Sequence, residues 1–130
     1  MTSLAAGVLA AATAYVINQL IIGQAGNKGI VTFIPIVEEA IKSFSAAALG
    51  ASLISTHAVF GAIEAGYEIL GAKSIKGVVG GLSSFVTHGF WGLITVVIYK
   101  VTGSLLLGIG AAAVVHSIWN RVITGIYLRN

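Results

Sequence analysis

Apolar stretches of about 20 residues, the length a helix needs to cross hydrocarbon, follow one another along almost all of this chain. Only a few glycines, lysines and isolated polar residues break them. A chain built this way has one economical fold, because backbone surrounded by lipid must satisfy its own hydrogen bonds and the helix does so within each segment. The expectation is an all-α, polytopic membrane helix bundle of about five transmembrane helices, forming a single domain over residues 1–130. Composition agrees. Of the 130 residues 57% are hydrophobic and 8% charged, with a mean hydropathy of +0.99, well beyond the usual range of soluble domains.

The first apolar run has no basic segment before it and no clear cleavage site ahead of Asn18 and Gln19, so it is read as a spanning helix rather than a signal peptide. The spans expected are 4–22, 32–49, 52–70, 77–99 and 104–127, with a loop over 23–29 and Pro35 tolerated in a first helical turn. Gly50 is the one strong break between the second and third. Five crossings put Lys28, Lys73, Lys76 and Arg129 on one side and mainly Lys100 on the other. The positive-inside rule then makes the first side, and the C-terminus, cytoplasmic. Tyr67 and Tyr127 fall near that side and Tyr99 near the outer one, as interfacial tyrosines do.

Several functions drop out at once. A net charge of +3, scattered along the chain, offers no patch for nucleic acid. The absence of cysteine removes disulfides, thiol nucleophiles and thiolate metal sites. No phosphate-binding glycine loop of the GxxxxGK[ST] type occurs.

The informative residues are the polar ones inside the spans, each costing a few kcal/mol in hydrocarbon unless it faces the bundle interior, a partner or a cavity. His57, Gly61, Glu64 and Glu68 recur at intervals of four, three and four on one helix face. Gly81, Ser84, His88, Gly92, Thr95 and Tyr99 form a similar stripe on the next span, and His116 and Asn120 are four apart on the last. At a rise of ~1.5 Å per residue, Glu38, Glu64, His88, His116 and Asn120 all lie roughly 9 to 18 Å from the cytoplasmic ends of their spans. Four antiparallel helices would then share a polar intramembrane pocket. Its contents suit a hydrolase: a glutamate to activate water, histidines to move protons or bind a metal, and an amide to stabilise an oxyanion. His57, in the outer half, is read as a hydrogen-bonded helix contact, and Glu68 as solvated near the interface. The 17 glycines are read as close-packing positions, with Gly77 and Gly81 forming one GxxxG.

Glu38-Glu39-Ala40-Ile41-Lys42 reads as EExxK, Phe60 to Glu64 as FxxxE, and His116 to Asn120 as HxxxN, with His88 between the last two. This order, over about residues 30–125, resembles the PrsW family of membrane proteases and, more distantly, the CAAX prenyl endopeptidase and bacteriocin-processing family. The resemblance implies peptide-bond hydrolysis within or beside the bilayer, acting on a membrane protein or membrane-anchored peptide. It implies that Glu38 or Glu39 activates water, that His88 and His116 complete the catalytic set, and that Asn120 is an oxyanion donor or orienting group. Lys42, Phe60 and Glu64 would support them. If a metal takes part, zinc held by Glu64, His88 and His116 is the expected form; a glutamate mechanism without metal fits the motifs equally. Glu38 is favoured as the base because Lys42 lies four residues on, on its helix face. The short chain also leaves room for a homo-oligomer or a partner subunit. Two other functions fit an intramembrane Glu/His cluster: a cation- or proton-conducting transporter or channel, and a non-catalytic scaffold of the same fold.

Overall fold

The computed structural model describes the chain over residues 1–72 and 74–127. It is all-α: α1 (Thr2–Lys28), a single π-helical turn (Gly29–Phe33), α2 (Ile34–Ala48), α3 (Leu53–Gly71), α4 (Ile75–Thr102) and α5 (Leu105–Tyr127). Three helical stretches among the described residues are long and apolar enough to cross a membrane: Thr2–Ala48, Gly77–Thr102 and Leu105–Gly125. The third helix is less apolar because it carries His57, Glu64 and Glu68. Of the residues on which the expected orientation rests, Lys73 and Arg129 lie outside the described residues, as do the side chains of Lys76 and Tyr127.

The 47 residues from Thr2 to Ala48 would make a rod ~70 Å long if straight. They do not. Gly26 has φ +52° and ψ −137°, a conformation open to glycine and strained for other residues. There the chain turns back on itself. Asn18 and Glu38, ~30 Å apart along a straight helix, are in hydrogen-bond contact at 2.7 Å. The expected seven-residue loop over 23–29 is therefore much tighter, since helical bonding continues on both sides of one glycine. The π turn comes just ahead of Pro35, and its wider i→i+5 bonding, closed by Ile34 N–H on the Gly29 carbonyl, admits a ring that cannot donate.

The other boundaries have plain local causes. Gly50, at φ +60°, ends α2: Ala51 N–H bonds the Ala46 carbonyl at 2.8 Å and Gly50 N–H bonds Ala47, the paired C-terminal closure for which glycine is suited. Ser52 caps α3 through its hydroxyl to Ser55 N–H, and Gly103, also left-handed, closes α4 on the Tyr99 carbonyl. These agree with the expected spans to within a few residues.

The helices form a ring in the order α1, α3, α4, α5, α2, with α2 also touching α3. Small side chains set the spacing. Ala6, Ala10 and Ala14 are buried on one face of α1, where Ala10 and Ala14 pack with Phe60 of α3. In α3 and α4 the glycines make room for histidines. A Cβ at Gly61 would lie 2.7 Å from His88 Cβ, and one at Gly92 2.8 Å from His57 Cβ. Each helix thus seats the other's imidazole against bare backbone. Gly92→Ala is expected to lower stability by ~1–3 kcal/mol, the usual cost of overpacking, read as a fall in melting temperature in detergent; an unchanged melting temperature would show that His57 is free to move.

The distribution of polarity is the inverse of a water-soluble fold. Among the largest fully buried side chains are Lys42, His57, Glu38, Glu39, Thr56 and Thr95, while leucines, valines, isoleucines and phenylalanines of every helix are exposed. Apolar residues facing outward and charges facing inward suit hydrocarbon surroundings.

Candidate functional site

The buried charges converge. α2 contributes Glu38, Glu39 and Lys42, spaced so that all three point into the ring, each at most 2% exposed. α3 brings His57 and Glu64, α4 brings Ser84 and His88, α5 brings His116 and Asn120, and α1 adds Asn18.

Glu39 is the hub. One of its oxygens accepts from Lys42 Nζ at 2.6 Å and from His116 Nδ1 at 2.9 Å. Its other oxygen lies 3.4 Å from His57 Nδ1, too poorly aligned for a hydrogen bond, while His57 Nε2 meets Ser43 Oγ at 3.3 Å. Lys42 also contacts His88 Nδ1 at 2.7 Å, and its ammonium stands 4.6 Å from the centre of the Phe60 ring. An ammonium only donates, so His88 Nδ1 accepts and its Nε2–H donates to Glu64, which also accepts from Ser84 Oγ at 2.7 Å. One chain of hydrogen bonds therefore runs His116–Glu39–Lys42–His88–Glu64 and fixes the tautomer of both histidines. Trp91 stacks on His116 with ring centres 5.8 Å apart and completes its orientation.

The expected pairing of Glu38 with Lys42 is not formed. Lys42 turns instead to Glu39, three residues away, because His88 on α4 draws its ammonium to that side. Glu38 is held by Asn18 Nδ2 at 2.7 Å, and its second oxygen is buried without a hydrogen-bond partner among the described residues. Each glutamate keeps one oxygen without a hydrogen-bond partner among the described residues, and they differ in what surrounds them: Glu39 is tied to Lys42 and His116 through its other oxygen, whereas Glu38 has no such ion pair and lines a cleft.

This cleft has a volume of about 1410 Å³, and its walls also include Asn18, Glu64, His88, His116 and Asn120. Most of the remaining lining is apolar, including Val8, Ile34 and Ile63, with Tyr15 and Tyr67 in edge contact across α1 and α3. Glu68, exposed as expected of it, stands on the same wall. Glu39 and Lys42 lie behind the cleft. Asn120 gives one amide N–H to the Ile30 carbonyl at 3.1 Å, which orients the group and leaves its second N–H uncommitted among the described residues.

The residues fit a divalent metal in part. Donor atoms of Glu38, His88 and His116 lie within 4.8 Å of one another, and oxygen–nitrogen sets of this kind bind zinc. The carboxylate converging with the two histidines is thus Glu38 and not Glu64, which bonds His88 from the side. His116 has the backing carboxylate usual for a ligating histidine. Three carboxylates also face one ammonium here, so further positive charge is electrostatically welcome. Against this, both nitrogens of His88 are engaged, and a metal would have to take one from Lys42 or Glu64.

Asn18 is the functional candidate that sequence reasoning passed over. The only sign of it was an amide inside an otherwise apolar span, which is expensive in hydrocarbon; its partner became visible only with the reversal at Gly26. His57 is a helix contact as expected, though it contacts Ser43 and adjoins Glu39.

Comparison with protein-family models, with characterised proteins and with solved structures returns no match.

Proposed function

We propose that the protein is an intramembrane peptidase of five spans, with its C-terminus cytoplasmic, that hydrolyses a peptide bond of a membrane protein or membrane-anchored peptide. One observation carries this reading: of the two glutamates that each keep a carboxylate oxygen without a hydrogen-bond partner among the described residues, only Glu38 lines the apolar cleft, together with two histidines that Glu39, Lys42 and Glu64 orient. A general base needs an acceptor free to take a proton, and an apolar cleft suits a substrate that arrives from lipid. The motifs EExxK, FxxxE and HxxxN, which suggested membrane proteolysis, supply the residues involved.

Glu38 takes a proton from water as the water oxygen bonds the carbonyl carbon and the carbonyl π pair moves onto its oxygen. When that pair returns, the C–N bond breaks and the departing nitrogen takes the proton from Glu38. The products are a carboxylic acid and an amine, and the glutamate is regenerated. The free N–H of Asn120, together with His116 when its Nε2 is protonated, would stabilise the oxyanion. Glu39 would support the charged form of His116 through its bond to Nδ1. If zinc is bound, Glu38, His88 and His116 would hold it, and it would supply Lewis acidity.

The test is cleavage of a library of membrane-anchored peptides by the purified full chain in lipid, with Glu38→Gln, His116→Ala and a chelator as separate arms. Cleavage that disappears in both variants is the expected result, and the chelator arm reports whether metal takes part. The unbroken chain from His116 to Glu64 favours one other reading, a proton or cation pathway. Flux into liposomes that those same substitutions abolish, with no peptide cleaved, would replace the peptidase assignment with that one.

A further inference from the structure

Among the buried acceptors that have no hydrogen-bond partner among the described residues, two belong to side chains already bonded to each other: Glu38 Oε2 and Asn18 Oδ1. Their assignment follows from chemistry. A carboxylate only accepts, so the amide atom 2.7 Å from Glu38 Oε1 is the Asn18 nitrogen and the remaining amide atom is an oxygen. Buried acceptors left bare are uncommon and each costs about 1–3 kcal/mol. Both residues line the same cleft. Two neighbouring acceptors on residues that line one cleft call for a ligand with two hydrogens to give, and water is the smallest such ligand.

We infer that Asn18 and Glu38 together hold the water that attacks the substrate, which makes Asn18, on α1 and outside all three motifs, a positioning residue of the reaction. This rests on the peptidase reading of the site. One water hydrogen bonds Glu38 Oε2 and is the proton transferred. The other bonds Asn18 Oδ1 and stays on oxygen. With both hydrogens held, a lone pair is presented to the cleft, and no bond beyond those of the hydrolysis itself forms or breaks. The Asn18 N–H on Glu38 Oε1 meanwhile stops the carboxylate from rotating its free oxygen away. The first helix would then be part of the active site, brought there by the turn at Gly26.

The decisive measurement has two arms. In a structure of the full chain in lipid, resolved well enough to see water, density is expected within hydrogen-bonding distance of both Asn18 Oδ1 and Glu38 Oε2. Its absence from the wild-type protein overturns the inference, whatever the activity and without any variant. In kinetics, Asn18→Leu is expected to lower kcat about 100-fold while KM changes little, with Ser43→Ala, which loses a buried hydrogen bond elsewhere, as the structural control. A merely structural Asn18 would lower the folded fraction and leave kcat per folded molecule intact, which also overturns it. The two failures separate cleanly: a wild-type protein that cleaves nothing defeats the peptidase reading, whereas cleavage lost in Glu38→Gln but kept at the wild-type kcat in Asn18→Leu defeats only the role of Asn18.

Discussion

Glu38→Gln is expected to remove about 10²- to 10⁴-fold of the cleavage rate, the usual contribution of a general base, while leaving the protein as stable as before. Glutamine has nearly the same shape and keeps an oxygen to accept from Asn18, so the contact between α1 and α2 survives. It loses only the ability to take a proton. Because Glu38 is 2% exposed and pairs with no cation, loss of its charge in a low-dielectric interior carries no stability penalty. Initial rates and thermal unfolding on the same preparation separate the effects. A variant that retains a tenth or more of wild-type kcat would rule Glu38 out as the base.

The neighbouring substitution acts in the opposite way. Glu39→Ala is expected to cost about 3–5 kcal/mol and to leave little folded protein, because it strands Lys42 without its counter-ion. Both side chains are fully buried, and the same carboxylate oxygen also orients His116. Glu39→Gln combined with Lys42→Met, which removes both charges, should recover much of the lost stability without restoring full activity. Thermal unfolding and size-exclusion profiles in detergent measure this. If Glu39→Ala melts no lower than Ser43→Ala, Glu39 is not the structural hub described above. On the expected results, the adjacent glutamates of one dipeptide differ by their readouts: rate for Glu38, folding for Glu39.

That division was not legible in the sequence. The i,i+4 rule pointed Lys42 at Glu38, and the rule is sound for an isolated helix. Here α4 supplies His88 on the other side of Lys42, and a buried ammonium with three hydrogens to place goes where two acceptors wait. Glu64 was similarly expected to join His88 and His116 in holding a metal, if one is bound; Glu64 does bond His88, but the approach of α2 makes Glu38 the carboxylate whose donor atom converges with both histidines.

The sequence by itself determined the helices, nearly all their boundaries, and which residues would be buried in spite of their charge. Hydropathy and helical period are local properties, and the cost of placing a charge in hydrocarbon forces every such residue toward the same interior whatever the detailed packing. Only the tertiary structure decided who bonds whom. Partners such as Asn18 and Glu38, or Glu39 and His116, are 20 and 77 residues apart, and their contact depends on how tightly the chain reverses at Gly26 and on which glycines let a histidine approach backbone. A carboxylate's role, proton acceptor or structural anchor, depends on whether it is tied to a buried cation, as Glu39 is to Lys42, or lines a cleft without one, as Glu38 does.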